Sequence, residues 1–272
     1  MKILSSLIAA STIALTSAHA QDGAAEMAKK LQNPLANIHA IMTDNTIGFN
    51  SGNEGGVSYN FQLQPVYAID FEDKGFTFIP RAVIPLLGIE PGTDYPILKA
   101  DGTAQQNRWG LGDSILQTFI APHTKSKIKW GVGPQFSIPT HTHNDLAGPG
   151  WGMGFAGIVT TDITTNISFA GIVGNHWSFD GEFSSMSLQP MFYYNVAAVP
   201  GLAIAYNATI AADWKAPSSD RWTVPLGITL SRTYDLGNGN GLEVSGGPYY
   251  NVARPDGASD WMFRFGVNFL LP

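Results

Sequence analysis

From about Ala36 to the C-terminus the apolar positions recur with period two, the side-chain repeat of a half-buried strand. The clearest run is Val57–Phe71, where Val57, Tyr59, Phe61, Leu63, Pro65, Tyr67, Ile69 and Phe71 share one face. Ser58, Asn60, Gln62, Gln64 and Asp70 occupy the other. The last segment repeats the pattern, with Trp261, Phe263, Phe265, Val267, Phe269 and Leu271 alternating with Met262, Arg264, Gly266, Asn268 and Leu270. Similar alternation predicts strands over 76–86, 128–138, 151–159, 186–194, 202–214, 222–230 and 242–252. Segments 36–50, 109–120 and 167–177 change phase, the last near Asn175, so bulges are expected there. The total is twelve strands. Only 24–31 reads as a helix, stopped at Asn33-Pro34.

The run 57–71 is far longer than the usual strand of about five or six residues, and one of its faces is wholly apolar. That suits a tilted crossing of a bilayer. The connections support the idea, because the two longest, 87–108 and 140–150, fall on the same side, while Glu72-Asp73-Lys74-Gly75 on the other side is short. An even strand number, both termini inside and longer outer loops describe an outer-membrane barrel. With this orientation Trp109, Trp151, Trp177, Trp214, Trp222 and Trp261 fall at the outer strand ends, the level of an aromatic girdle; Trp130 falls at the inner end. Strands about 4.8 Å apart and tilted about 40° give twelve of them a backbone diameter of roughly 24 Å. Loop 87–108 is long enough to fold inward as a constriction. Prolines 65, 85, 134, 190 and 225 lie inside strands and call for local bends or bulges.

Composition explains itself on this reading. Charged residues make up 13% of the 272 residues, about half the usual share, yet apolar residues are an ordinary 44%. A barrel places one strand face against lipid, where charge is excluded, and the other around an interior expected to be mainly amide, hydroxyl and glycine. No apolar window beyond the N-terminus is long enough for a membrane-spanning helix. The net charge of −6 and the lack of a Lys/Arg cluster argue against nucleic-acid binding. With no cysteine, disulfides and thiolate sites are excluded. Residues 1–20 read as a secretory signal, with Lys2 before an apolar stretch and Ala18-His19-Ala20 as the cleavage site. The organisation is therefore signal peptide 1–20, periplasmic segment 21–35 and all-β transmembrane barrel 36–272.

On this register Gln62, Gln64, Arg81, Lys129, Gln135, Gln189, Asn195, Asn207, Asp213, Glu243 and Arg264 point inward and are the candidate pore-lining residues. They set a field along a solute path or fill the lumen with a salt-bridge network, and Asp113 is a candidate member of that network. His141, His143 and Asp145 have metal-ligand chemistry but sit in a Gly- and Pro-containing loop, where solvation is the expected state; neither metal nor cofactor is expected. His176 beside Ser178 supplies ingredients of a hydrolase without a spacing that fixes a nucleophile–base pair, so no catalytic residue is assigned.

The ordered segments Asn33-Pro34-Leu35-Ala36, Leu63-Gln64-Pro65, Gly110-Leu111-Gly112-Asp113, Trp130-Gly131-Val132-Gly133-Pro134, Trp151-Gly152-Met153-Gly154, Asn175-His176-Trp177-Ser178, Leu188-Gln189-Pro190, Asp213-Trp214 and Trp222-Thr223-Val224-Pro225 resemble the MetA-pathway-of-phenol-degradation family of bacterial outer-membrane transporters. The resemblance spans nearly the whole chain after the signal. It implies a barrel that passes small molecules, aromatic or hydrophobic compounds among them, with outer-membrane lipid, the barrel-assembly machinery and the solute as partners. The alternatives are an outer-membrane lipid or ester hydrolase on the same barrel, and a structural or adhesive barrel with a plugged lumen.

Overall fold

A computed structural model of the protein describes residues 23–99 and 106–272. The expected signal peptide, residues 1–20, lies outside the described residues. So does the middle of the loop 87–108. Twelve antiparallel strands close into one barrel. They are β1 (His39–Ser51), β2 (Gly56–Tyr67, continued by Ile69–Phe71), β3 (Phe76–Ile89), and β4 (Arg108–Leu111 and Ser114–Pro122). Next come β5 (Lys129–Ile138), β6 (Gly152–Asp162), β7 (Ile167–Ser178) and β8 (Ser184–Asn195). The last are β9 (Leu202–Asn207 and Ile210–Asp213), β10 (Trp222–Gly227 and Thr229–Gly237), β11 (Asn240–Ala253) and β12 (Trp261–Leu271). Each strand pairs with its neighbours in sequence, and β1 pairs with β12 from His39↔Leu271 to Phe49↔Trp261 to close the ring. Closure leaves no sheet edge unpaired, the condition for a strand protein in hydrocarbon.

The period-two pattern has become two surfaces. Val57, Tyr67, Trp130, Val132, Phe136, Phe155, Val173, Phe192 and Phe263 are exposed on the outside. The six tryptophans assigned to the outer ends are exposed as well. At one end the connections are short; β10 turns into β11 through Asn238-Gly239, both with positive φ as a tight hairpin requires. The long connections gather at the opposite end.

The irregular segments resolve differently from one another. In 39–49 the alternation is continuous in register, and the irregularity comes at Asn50, where φ is positive and the register shifts between Phe49 and Ser51. The apparent change of phase arises because Thr43 and Asn45 are polar residues on the outward face. Thr43 Oγ1 is 2.9 Å from both the carbonyl and the amide of Val267, replacing a ladder bond, while Asn45 Oδ1 accepts Tyr59 Oη at 2.6 Å. In β4 the phase does change. Trp109 and Leu111 are exposed before the break at Gly112-Asp113, whereas Leu116 and Ile120 are exposed after it. The slip expected near Asn175 is absent, since β7 pairs without interruption on both sides. Asn175 instead faces outward, where its Oδ1 accepts Trp214 Nε1 at 2.6 Å.

Each of the five prolines stands where one neighbouring ladder is interrupted. The gaps fall between β2 and β3 at Pro65, β3 and β4 at Pro85, and β4 and β5 at Pro134. Between β8 and β9 the gap is at Pro190, and between β10 and β11 the register shifts at Pro225. A proline has no N–H to offer the strand on that side, so the gap costs no unsatisfied donor. Some freed carbonyls find side chains: Pro134 O takes Thr118 Oγ1 at 3.1 Å, and Pro225 O takes Tyr206 Oη at 2.7 Å.

Candidate functional site

Among the described residues the lumen holds two chambers. The inner one, about 110 Å³, is lined by the chain from Leu31 to Pro34 and by residues of several strands. The outer one, about 170 Å³, lies under Asp94–Ile97. Asp44 and Arg264 line both, and the Arg264 guanidinium holds the Asp44 carboxylate at 2.5 Å. The lumen is thus divided where these two charges meet. Arg264 also lies over the Tyr249 ring, 5.7 Å from its centroid.

The candidate residues divide by position. Gln64, Arg81, Gln189, Asn207, Glu243 and Arg264 line the inner chamber, and Gln62 the outer. Arg81 donates to Gln64 Oε1 at 2.6 Å, Gln64 to Gln62 at 2.8 Å, Gln189 to Asn207 at 2.8 Å, and Asn268 to Glu243 at 3.0 Å. The other four have different surroundings. Lys129 is exposed on the rim at the inner end, beside Lys127 and the N-terminal helix. Gln135 is buried in a side-chain layer, accepting from Gln117 and donating to the carbonyl of Asn175. Asn195 is occupied by the N-terminal segment. Asp213, at the outer end of β9, accepts the Lys215 amide.

Three features of the lumen were not predicted from the sequence. Asp44 is the first, hidden in a strand whose phase looked broken; being the one carboxylate of that strand was its only signal. The second is the place of the helix over residues 23–32, which the sequence predicted over 24–31 but did not bring to the lumen. Met27 and Leu31 pack on Leu270, and Gln32 exchanges amide hydrogen bonds with Asn195 at 2.9 and 3.0 Å. This lays the helix across the inner mouth. The third corrects the expectation of an amide, hydroxyl and glycine interior. Leu35 enters a buried apolar cluster with Ile79, Phe119, Ile158, Ile172, Met191 and Tyr193. Alternation separates inside from outside but does not make the inside polar.

The described first part of the loop after β3, to Lys99, folds inward, as the loop's length suggested. Tyr95 Oη donates to Ser58 Oγ at 3.1 Å, the Asp94 amide to Gly257 O at 3.3 Å, and Lys99 N to Ala147 O at 3.1 Å. Tyr95, Ile97 and Leu98 pack on Leu87, Ile89 and Leu146. Burial, then the charges of Asp213 and Asp220, push the Asp94 carboxyl up to about 6. A raised carboxyl pKa favours the docked loop when protonated, so docking is strongest below about pH 4 and weakens as pH rises through 6. The loss is about 2 kcal/mol. Amide exchange of residues 93–98, corrected for intrinsic rates, is expected to show this between pH 4 and pH 7.5, and Asp94→Asn to abolish it.

Asp113 is not part of a lumen network. Its carboxylate is buried and accepts His141 Nδ1 at 2.6 Å, His141 N at 3.2 Å, Gly148 N at 3.1 Å and Gly150 N at 2.7 Å. It therefore ties the loop between β5 and β6 to the break in β4. Asp145 of that loop is engaged by Arg108 at 2.8 Å. Asp113→Ala is expected to loosen the loop by about 3 kcal/mol, because several donors lose their acceptor together. Faster amide exchange confined to residues 140–150 is the measurement. His176 contacts Ser137 Oγ at 2.8 Å rather than Ser178, and its Nδ1 is buried with no partner among the described residues. Among the described residues no carboxylate orients the ring as a serine hydrolase requires.

The fold is that of a twelve-stranded outer-membrane barrel. It is similar to an outer membrane channel from Pseudomonas putida F1, with TM-score 0.59 and 15% identity over 86% of this chain and 94% of that one. It is also similar to the NanC porin, with TM-score 0.50 and 11% identity over 86% and 100%. No family model matches the sequence. No curated protein matches it either.

Proposed function

We propose that the chain is an outer-membrane channel for the passive passage of small molecules, aromatic or hydrophobic compounds among them. The observation that carries this reading is the pair of chambers in line through the barrel, meeting at Asp44 and Arg264. A purely structural barrel has no need of charged groups facing a cavity, where each costs desolvation. The exposed tryptophans act as the outer girdle, indole resting at the headgroup boundary. The motif resemblance to the phenol-degradation transporters points to the same class of solute. Liposome swelling and single-channel recording on the purified barrel test it. Solute entry and discrete conductance steps are expected; a sealed barrel in both assays would leave the structural or adhesive reading.

A further inference from the structure

The charges of the inner chamber do not all balance locally. Four charged side chains line it: Asp44, Arg81, Glu243 and Arg264. Asp44 and Arg264 neutralise each other. Arg81 forms no ion pair among the described residues. Its NH2 group donates to the neutral amide of Gln64, and its Nε is buried without a partner. Its cross-strand partners Val66 and Gln117 carry no charge, and the carboxylate that acts on it from across the chamber, Asp44, is already held by Arg264. Glu243 lies four strands round the wall, on β11, where Asn268 donates to it. The chamber therefore offers one cation with unspent hydrogen-bonding capacity.

What faces that cation is apolar. Ile79, on the same strand and the same inward face as Arg81, lines the chamber with Phe119, Ile158, Ile172 and Met191. A guanidinium beside such a wall matches a ligand with a carboxylate at one end and a hydrocarbon body at the other. The planar fork binds a carboxylate through two parallel N–H···O bonds, strengthened where water is scarce. At about 110 Å³ the chamber is smaller than the cavity of about 150 Å³ that accepts benzene, so the ring enters by displacing Leu35, which packs on the same apolar side chains.

We propose that the inner chamber is a binding site for small amphipathic monocarboxylates, aromatic acids above all, with the carboxylate on Arg81 and the ring on Ile79, Phe119 and Met191. This rests on the channel reading, which it narrows from apolar solutes to their acids. An acid is bound by both features of the wall, whereas a neutral hydrocarbon leaves Arg81 unsatisfied and an amine meets like charge.

The test is equilibrium binding of benzoate, benzyl alcohol and benzylammonium to the full chain in detergent micelles, by calorimetry at pH 7.5, alongside single-channel recording. Saturable benzoate binding is expected, with benzyl alcohol and benzylammonium at least tenfold weaker. Arg81→Gln is expected to weaken benzoate by tenfold or more and to leave benzyl alcohol unchanged, while Arg81→Lys retains part of the affinity. Heat-modifiable electrophoretic mobility establishes that each variant is a folded barrel. Equal binding of acid and alcohol, or unchanged benzoate affinity in a folded Arg81→Gln barrel, overturns the proposal. A barrel that conducts ions but does not bind benzoate refutes this site alone; one that binds benzoate without conducting refutes the channel alone.

Discussion

A chain lacking residues 23–35 is expected to conduct about threefold more current, or higher, than the intact protein in the same bilayer and salt. The removed segment supplies the helix across the inner mouth, the Leu31–Pro34 wall of the inner chamber and the Leu35 side chain. Leu35 packs against Ile79, Phe119, Ile158, Ile172 and Met191, an apolar constriction that water fills poorly. The barrel itself does not need the segment, because its ring closes through β1 and β12 beginning at His39. The loss to stability is the apolar contact with Leu270, the amide pair to Asn195 and the packing of Leu35 in its apolar cluster. A milder variant separates the two parts: Leu35→Ser keeps the helix in place but wets the constriction. Planar-bilayer conductance is the measurement. An unchanged value for the deletion would mean that the inner mouth does not limit flow, leaving the Asp44–Arg264 level or the outer loop in control.

The second large effect is expected at the charge pair between the chambers. Asp44→Asn frees Arg264 and adds to the positive charge already present at Arg81, so ion preference is expected to move severalfold toward anions. Arg264→Gln frees Asp44 and is expected to move it toward cations. Reversal potentials under a salt gradient should therefore shift in opposite directions. Removing one partner of this partly buried pair leaves an uncompensated charge, at a cost of about 2 kcal/mol, below that of a fully buried pair. Arg264 carries the heavier loss, being 8% exposed and stacked over Tyr249. The double variant Asp44→Asn/Arg264→Gln removes both charges together and is expected to regain stability, with a preference between those of the single variants. Shifts of the same sign in both single variants would place the selectivity elsewhere.

How much of this was legible in the sequence varied from strand to strand. Where one face is uniformly apolar, as in Val57–Phe71 and Trp261–Leu271, both the strand and its inside face follow from the residues. In β1 the reading faltered because Thr43 and Asn45 are polar on the outward face. Their partners, Val267 and Tyr59, lie on the two neighbouring strands, so their satisfaction is invisible locally. Asn175 misled in the same way, its acceptor being used by Trp214 on another strand. The change of phase in β4 was real, and the chain marks it with Gly112-Asp113. What Asp113 does there depends on three backbone amides and a ring nitrogen from the following loop.

The sequence by itself determined the barrel, the strand number and, in strands with one uniformly apolar face, the face that turns inward, because the pleat alternates faces residue by residue and needs no distant information. How the interior is filled was decided only by the tertiary structure. Asp44 and Arg264 are separated by 220 positions and meet because β1 closes against β12. Gln32 reaches Asn195 across 163 positions to draw the N-terminal helix over the mouth. A period of two states that a residue points inward. It carries no information about which residues from other strands, or from a terminal segment, arrive at the same height to pair with it, wall it off or leave it open to a solute.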